Sequence, residues 1–551
     1  MALNLMQPIS FMEDFDMRDR KPLYLVLIEW IVFTVIAVAV ISRLNALFLP
    51  KDTYNSNPWP TTNTYNGFYK MKRDTVDVIF VGSSVAVNAW CPQEIYNDYG
   101  IRSYNLGSEQ QSIFLSYYWI KEALRFQHPK AIVLDLRFLV TMHPDNPLNT
   151  DEGLIRKCID PMKMSHVKRE AIADIGRQYR TFAGKGICDD PPAISEMSFY
   201  LTNIRFHTRW ASGLSDNDFD RRSYSTAELK GWNTMIYYND AKITPYVYRE
   251  TDDYYKVDKL QSEYLHKIGD LCRENGIQLI LVNLPGNGIL GLGMTDGVEN
   301  TCRAIASEIG ADYYNFGEKT WYDCLDIERP RDYPFGHSNY WGSVKLSRFT
   351  GRLLSEIYGI QPVKDEQYEQ TRDYYAMIDK DANLQYIEDF DSYLDAIHDP
   401  NYTLFFSIED EGTGSLTEKE VNKLRTLGIH TNLKGKYRYS WYAVVDPITG
   451  VSEDISEDKK IELNGTFGKL RKAFYIASAG FTTNAPMSSI VVDGQEYSHN
   501  TRGINIVVYD NVGRSVIDSV TFDTCGDQSA SRSWFIDMIK NGVTVEYNSR
   551  W

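Results

Sequence analysis

The sequence predicts an α/β domain on a parallel sheet, followed by a β-rich domain and preceded by one long apolar helix. Short aliphatic runs alternate with amphipathic stretches over the first two thirds of the chain. Strand-like runs separated by Gly, Asn and Asp take over after Tyr402, and a single long apolar segment stands near the N-terminus. A chain of 551 residues is too long for one core, since a single core stops growing well before that length.

The α/β assignment rests on three runs, Val76 to Val81, Ala131 to Leu136 and Gln278 to Leu284. Each is short, aliphatic and bounded by turn residues, as a strand buried on both faces must be. Lys259 to Asn275, ahead of the third run, carries the helical period. Residues 141 to 250 lose this rhythm and are rich in Arg, Asp and aromatics, which predicts an insertion over one face of the sheet.

From Leu23 to Ser42 the chain reads LYLVLIEWIVFTVIAVAVIS, about the 20 residues that cross a hydrocarbon core as a helix. No small-x-small cleavage site follows, so an uncleaved anchor is expected. Arg18, Arg20 and Lys21 at its N-terminal end predict a cytoplasmic N-terminus and an extracytoplasmic bulk. Glu29 inside the span either reaches water at the inner interface or faces a multi-pass partner.

The expected organisation is a tail over 1–22, a transmembrane helix over 23–42 and a Pro/Asn/Thr-rich tether over 43–69. An α/β domain over 70–358 follows, with its insertion at about 141–250, then a helical connector over 359–400 and a β-rich domain over 401–551. In that last domain TLFFSIED, RYSWYAVVD, FYIASAG, SIVVDG and INIVVYD read as strands of a sandwich or barrel. Thr417 and Glu420 form a capping box that starts a helix to about Leu427.

A formal net charge of -16 makes nucleic acid an unsuitable partner, because polyanions are repelled over most of the exterior. The seven cysteines contain no CxxC pair, so no zinc site or dense disulfide framework is expected, and a single bridge such as Cys158 to Cys188 is left open. No nucleotide loop is expected either: the Gly-rich stretch from Pro285 lacks a phosphate-contacting Lys. The expected cofactor complement is none.

Chemistry gathers at two places. The first strand runs into Gly82-Ser83-Ser84, a strand-to-helix turn that exposes a hydroxyl beside helix-start amides. Far along the chain, His337 stands just ahead of an amphipathic run, in Asp332-Tyr-Pro-Phe-Gly-His337-Ser-Asn339-Tyr-Trp-Gly342-Ser-Val-Lys345. If both lie on one edge of the sheet, the imidazole can serve the serine as base.

These blocks resemble the SGNH hydrolase superfamily, in the branch of membrane-anchored envelope proteins that includes D-alanyl-lipoteichoic acid biosynthesis proteins and alginate O-acetyltransferases. The resemblance covers about Val76 to Tyr358 and implies a flavodoxin-like three-layer fold. It implies Ser84 as nucleophile, His337 as base and, because Pro334 occupies the usual acid position, Asp332 as the nearest acid; a Ser-His dyad is the alternative. Tyr104-Asn105-Leu106-Gly107 is similar to the second block, which makes the Gly107 amide the oxyanion donor, with Gln110 as the other register. The third block's Gly-x-Asn is replaced by Asp135-Leu136-Arg137-Phe138, where Arg137 is either a donor or a strand-end salt-bridge partner.

Two C-terminal stretches, Thr403 to Asp446 and Ala473 to Glu546, resemble the halves of the interleukin-like EMT inducer domain in reversed order. They carry Phe406-Ser-Ile-Glu-Asp-Glu-Gly-Thr, Leu424-Arg-Thr-Leu-Gly428, Arg502-Gly-Ile-Asn505-Ile-Val-Val-Tyr-Asp510 and Phe522-Asp-Thr524. That resemblance implies binding of carbohydrate or another extracellular partner, with Trp441 as a stacking platform or a core residue. The function implied is an esterase or O-acyl (acetyl) transferase acting on a cell-envelope glycan, receiving acyl groups from a multi-pass membrane-bound O-acyltransferase in the transfer case. The competing expectation is an inactive glycan-binding scaffold.

Overall fold

The computed structural model describes residues 22–51, 59–186, 191–212, 214, 225–233, 245–285, 295–327, 332 and 336–526. The strands of the first domain are β1 (Val78–Val81), β2 (Ser103–Asn105), β3 (Ala131–Asp135), β4 (Gln278–Asn283) and β5 (Asp312–Asn315). They pair in the order β2-β1-β3-β4-β5, every pair parallel. Side-chain alternation divides the core in two. Ile79, Val81, Ile132, Leu134, Leu279 and Leu281 face the helices Ile113–Ala123 and Lys259–Glu274. Val78, Phe80, Ala131, Val133, Ile280 and Val282 face Trp90, Ile95, Leu346 and Leu354 on the other side. Both faces are covered, which is why these strands read as unbroken aliphatic runs.

The insertion is only in part a cover. Its helices Glu152–Ile159 and His166–Ala183 contribute Ile155, Ile159, Ala171 and Ile172 to the first-face core. Asp174 accepts hydrogen bonds from Tyr118 and Tyr264 on two different core helices.

The apolar helix runs Leu23–Phe48, longer than the expected 23–42, and is the one helix among the described residues long and apolar enough to cross a membrane. It continues because nothing before Pro50 breaks the pattern. The expected tether also proves to be structured. Pro60–Phe68 is a helix with Pro at its first position, Tyr65 stacks on Trp119 at 3.6 Å between centroids, and Phe68 is buried. Trp59 N–H donates to Lys51 O at 3.0 Å and the Thr62 hydroxyl to Pro50 O at 2.7 Å, which ties the residues after the apolar helix to the start of the Pro60–Phe68 helix.

The C-terminal strands are β6 (Tyr402–Asp410), β7 (Ser440–Asp446), β8 (Gly450–Ser456), β9 (Ile461–Phe467), β10 (Lys472–Gly480), β11 (Met487–Val492), β12 (Gln495–Glu496), β13 (Gly503–Asp510) and β14 (Ser515–Phe522). They belong to one nine-stranded hydrogen-bonded sheet in the order β12-β11-β10-β6-β13-β14, with β7 branching from β6, β8 on β7 and β9 on β10. Leu404, Phe406, Ile504 and Ile506 pack under the helices Phe390–Ala396 and Glu418–Thr426, while Phe405, Phe467, Phe474 and Val507 form a second cluster. Thr417 and Glu420 make the capping box. Trp441 is fully buried in the first cluster and is a core residue, not a platform.

The helix Arg372–Leu384 in the connector is fastened on both sides. Tyr375 donates to Glu94 of the first domain, and Tyr402 of β6 donates to Asp381. Burial, reinforced by the Asp510 and Asp399 charges and opposed by the Tyr402 hydroxyl, pushes Asp381 up to about 7. The folded chain therefore holds a proton there that the unfolded chain has lost above its ordinary carboxylate pKa of about 3.9, so this group's stability contribution is lost as pH rises toward about 7. Asp381→Asn, which keeps an acceptor for Tyr402, is expected to stabilise the protein at pH 8 by on the order of 1–3 kcal/mol and to have little effect at pH 4. Denaturant unfolding of the full chain at the two pH values measures this; a variant equally or less stable at pH 8 contradicts it.

Candidate active site

Ser84 is the first residue of the helix Ser84–Ala89 and its Oγ lies 2.8 Å from Nε2 of His337. Both side chains are half-buried at the rim where β1 ends. The two predicted residues, 253 positions apart, meet directly.

The turn before Ser84 is set by a carboxylate. Asp135 at the end of β3 accepts the Ser83 hydroxyl at 2.7 Å and the Ser83 N–H at 3.2 Å on Oδ2, and the Arg137 N–H at 3.0 Å on Oδ1. Gly82 is required between them: its φ is +150°, and a Cβ there would stand 2.5 Å from the Asp135 Cβ. Burial raises the Asp135 pKa, while the Ser83 and Arg137 interactions pull it down.

A helix of six residues cannot sustain itself, and its last carbonyls have no partners within it. Here distant segments supply them. Asn105 Nδ2 donates to Ala86 O at 2.8 Å and Trp90 O at 3.2 Å, Asn233 N–H to Val87 O at 3.3 Å and Trp232 Nε1 to Asn88 O at 3.3 Å. Ser343 Oγ donates to Ala89 O at 3.2 Å. Trp232 and Asn233 belong to the insertion, whose adjoining Lys230 carbonyl accepts the Asn105 N–H at 2.8 Å. The insertion thus builds one wall of the serine's helix.

The His337 side of the site is a single folded unit. Asn339 caps the helix Tyr340–Glu356 by accepting the Gly342 N–H at 3.2 Å, and its own N–H donates to Asp332 O at 3.2 Å. A Cβ on Gly342 would lie 2.1 Å from that same Asp332 oxygen. Lys345 Nζ reaches Asp332 Oδ2 at 2.8 Å. The spacing of Asn339, Gly342 and Lys345 is therefore the spacing of a cap, a close approach and an ion pair that together hold Asp332 against the helix.

The remaining expected residues fall as follows. Asp332 is fully buried in this unit, five residues before the histidine, with Oδ2 on Lys345. Pro334 lies outside the described residues. The Gly107 N–H, expected to face an oxyanion, donates instead to Asn105 Oδ1 at 3.1 Å, closing a local turn that its short distance along the chain favours. Gln110, the other register, has a left-handed φ of +46°. Arg137 sits in a short 3-10 turn, its amide on Asp135. Asp135, Asn105, Trp232 and Ser343 were missed as site residues: the last three act on backbone carbonyls that carry no sequence signal, and Asp135 acts on Ser83 and the Arg137 amide, which no motif links to it. Cys158 is buried with its thiol 3.6 Å from Gln111 Oε1, and Cys188 lies outside the described residues. Among the described residues, no group of three or more His, Cys, Asp or Glu side chains is arranged to hold a metal ion.

No protein-family model matches the chain, and no curated protein matches it.

Gly342→Ala is expected to push the Asp332 carbonyl away and cost about 1–3 kcal/mol of stability. Urea unfolding measures it. A variant as stable as the parent would mean that the close approach does not constrain the loop.

Proposed function

We propose that this chain is a membrane-anchored, extracytoplasmic serine esterase or O-acyltransferase of the SGNH type that acts on a cell-envelope polysaccharide. The observation that carries the reading is the 2.8 Å contact between Ser84 Oγ and His337 Nε2 at the carboxyl end of a parallel sheet. The strand order β2-β1-β3-β4-β5 supports it, being that of flavodoxin-like doubly wound sheets, which bind ligands at this edge.

In this reading Ser84 attacks an ester carbonyl while His337, with its proton on Nδ1, accepts the serine proton at Nε2. The carbon-oxygen bond to the alcohol breaks, the alcohol takes that proton from the imidazole, and the acyl group stays on Ser84. Water or a sugar hydroxyl then gives its proton to His337 and attacks the acyl-serine, the bond from the acyl carbon to Ser84 Oγ breaks and Oγ takes the proton back from the imidazole; the identity of the attacking group separates hydrolysis from transfer. Asp332, anchored by Lys345, takes the acid's role beside the histidine loop. The Leu23–Phe48 helix is the single-span anchor with a cytoplasmic N-terminus, and a multi-pass membrane-bound O-acyltransferase is the acyl donor in the transfer case. The C-terminal domain holds glycan.

A second reading, an inactive glycan-binding scaffold, draws on the Gly107 amide and the Asp332 carboxylate already being engaged within the protein. Labelling of the full chain with a fluorophosphonate, together with release of acetate from an acetylated polysaccharide, separates the two. Wild-type protein is expected to label, Ser84→Ala to lose both signals, and His337→Ala to slow them by about 10²- to 10⁴-fold. A wild-type chain that neither labels nor releases acetate overturns the enzyme reading.

A further inference from the structure

The apolar helix is 26 residues, about 39 Å at 1.5 Å per residue, against a hydrocarbon core of about 30 Å. The surplus of about 9 Å corresponds to roughly its last six residues, Arg43 to Phe48, which belong at the level of lipid headgroups. Arg43 is exposed there, the placement of a cation that reaches for headgroup phosphates.

That last turn is held by the insertion. Asn203 N–H donates to Asn45 Oδ1 at 3.0 Å, and the buried Arg209 guanidinium donates to Phe48 O, capping the carbonyl end of the helix with a positive charge. Trp210 lies edge-on to Phe48, 6.4 Å between ring centroids. Yet Trp210 remains 73% exposed and Ile204 48% exposed, with Arg205 exposed beside them. These groups are fixed to the helix at headgroup depth and have no protein cover among the described residues.

We infer that Ile204, Arg205 and Trp210 form a second membrane contact, seated in the headgroup layer of a lipid bilayer around the foot of the apolar helix. Lipid fits this patch better than a protein partner does. Its apolar members stand singly beside a cation, whereas the centre of a protein interface is contiguous and depleted of charge. An indole with one wet edge is the side chain enriched at membrane interfaces. The contact would fix the height and tilt of the Ser84 domain over the membrane, because the helix foot is hydrogen-bonded to Asn203 and Arg209 of the insertion and the residues just after it to Trp59 and Thr62, beside Tyr65 stacked on Trp119. The inference rests on the reading of Leu23–Phe48 as a span.

Tryptophan quenching in vesicles of phosphatidylcholine and phosphatidylglycerol tests both claims separately. The full chain is reconstituted with lipids brominated either near the headgroup or near the bilayer centre, and Trp210→Phe and Trp30→Phe are each compared with wild type. Trp210→Phe is expected to lose a component quenched by the shallow lipid, and Trp30→Phe one quenched by the deep lipid. If Trp30→Phe loses its deep component but Trp210→Phe loses no shallow one, the second contact is overturned and the patch is left to a protein partner. If Trp30→Phe loses no deep component, the span itself is overturned.

Discussion

The site depends on the unsatisfied end of one short helix. The turn that presents Ser84 leads into six helical residues whose closing carbonyls, Val87 to Ala89, and that of the capping Trp90 would stand unpaired in a buried place. Each such group costs about 1–3 kcal/mol if left without a donor, while a satisfied one returns only about 1 kcal/mol. The asymmetry makes the donors obligatory. They come from β2, from the insertion and from the helix after His337, so three remote segments must converge on the serine's helix before it can exist. Convergence of the third segment brings the histidine within reach of the serine. The hydroxyl stripe Ser343, Ser347 and Thr350 continues the same contact, accepting the Cys91 N–H and the Trp90 indole N–H further along.

Asp135 plays the complementary role at the other end of the turn. A buried carboxylate is costly, and its raised pKa reflects that cost. Three donors from two strand ends offset it and lock Ser83, leaving the adjacent Ser84 with its hydroxyl turned to the histidine. A neutral amide at this position would accept less strongly from the same donors. The β3 end thus braces the turn that carries the serine.

What was legible in the sequence follows from what each segment buries. β1, β3 and β4 were readable because both their faces are covered, whereas β5, Asp-Tyr-Tyr-Asn at the sheet edge, presents polar and half-exposed side chains and gave no aliphatic run. β8 and β9 were missed for the same reason, their side chains alternating between exposed and half-buried. The Pro60–Phe68 helix hid behind a composition typical of linkers, though two aromatics bury it. Ser84 and His337 were legible as a pair because both sit beside strong local signals, a strand-helix turn and an Asn-capped helix. Asn105, Trp232 and Ser343 were not, because their partners are main-chain carbonyls that become orphaned only once the chain has folded.

The connector shows that the two domains cannot be treated as beads on a string. The first turn of the helix that follows His337 packs on it, with Trp341 edge-on to Tyr386 at 4.4 Å and its indole N–H 3.3 Å from Asn383 Oδ1. Tyr340 donates to Asp379 on the same connector helix. Asp381, one turn of packing away, holds the first strand of the C-terminal sheet through Tyr402. One helix thus touches both the residues that immediately follow the histidine and the first strand of the C-terminal sheet. The connector is in this sense part of the support of the site, since its carboxylates accept from Tyr340 beside the histidine and from Tyr402 in the C-terminal sheet.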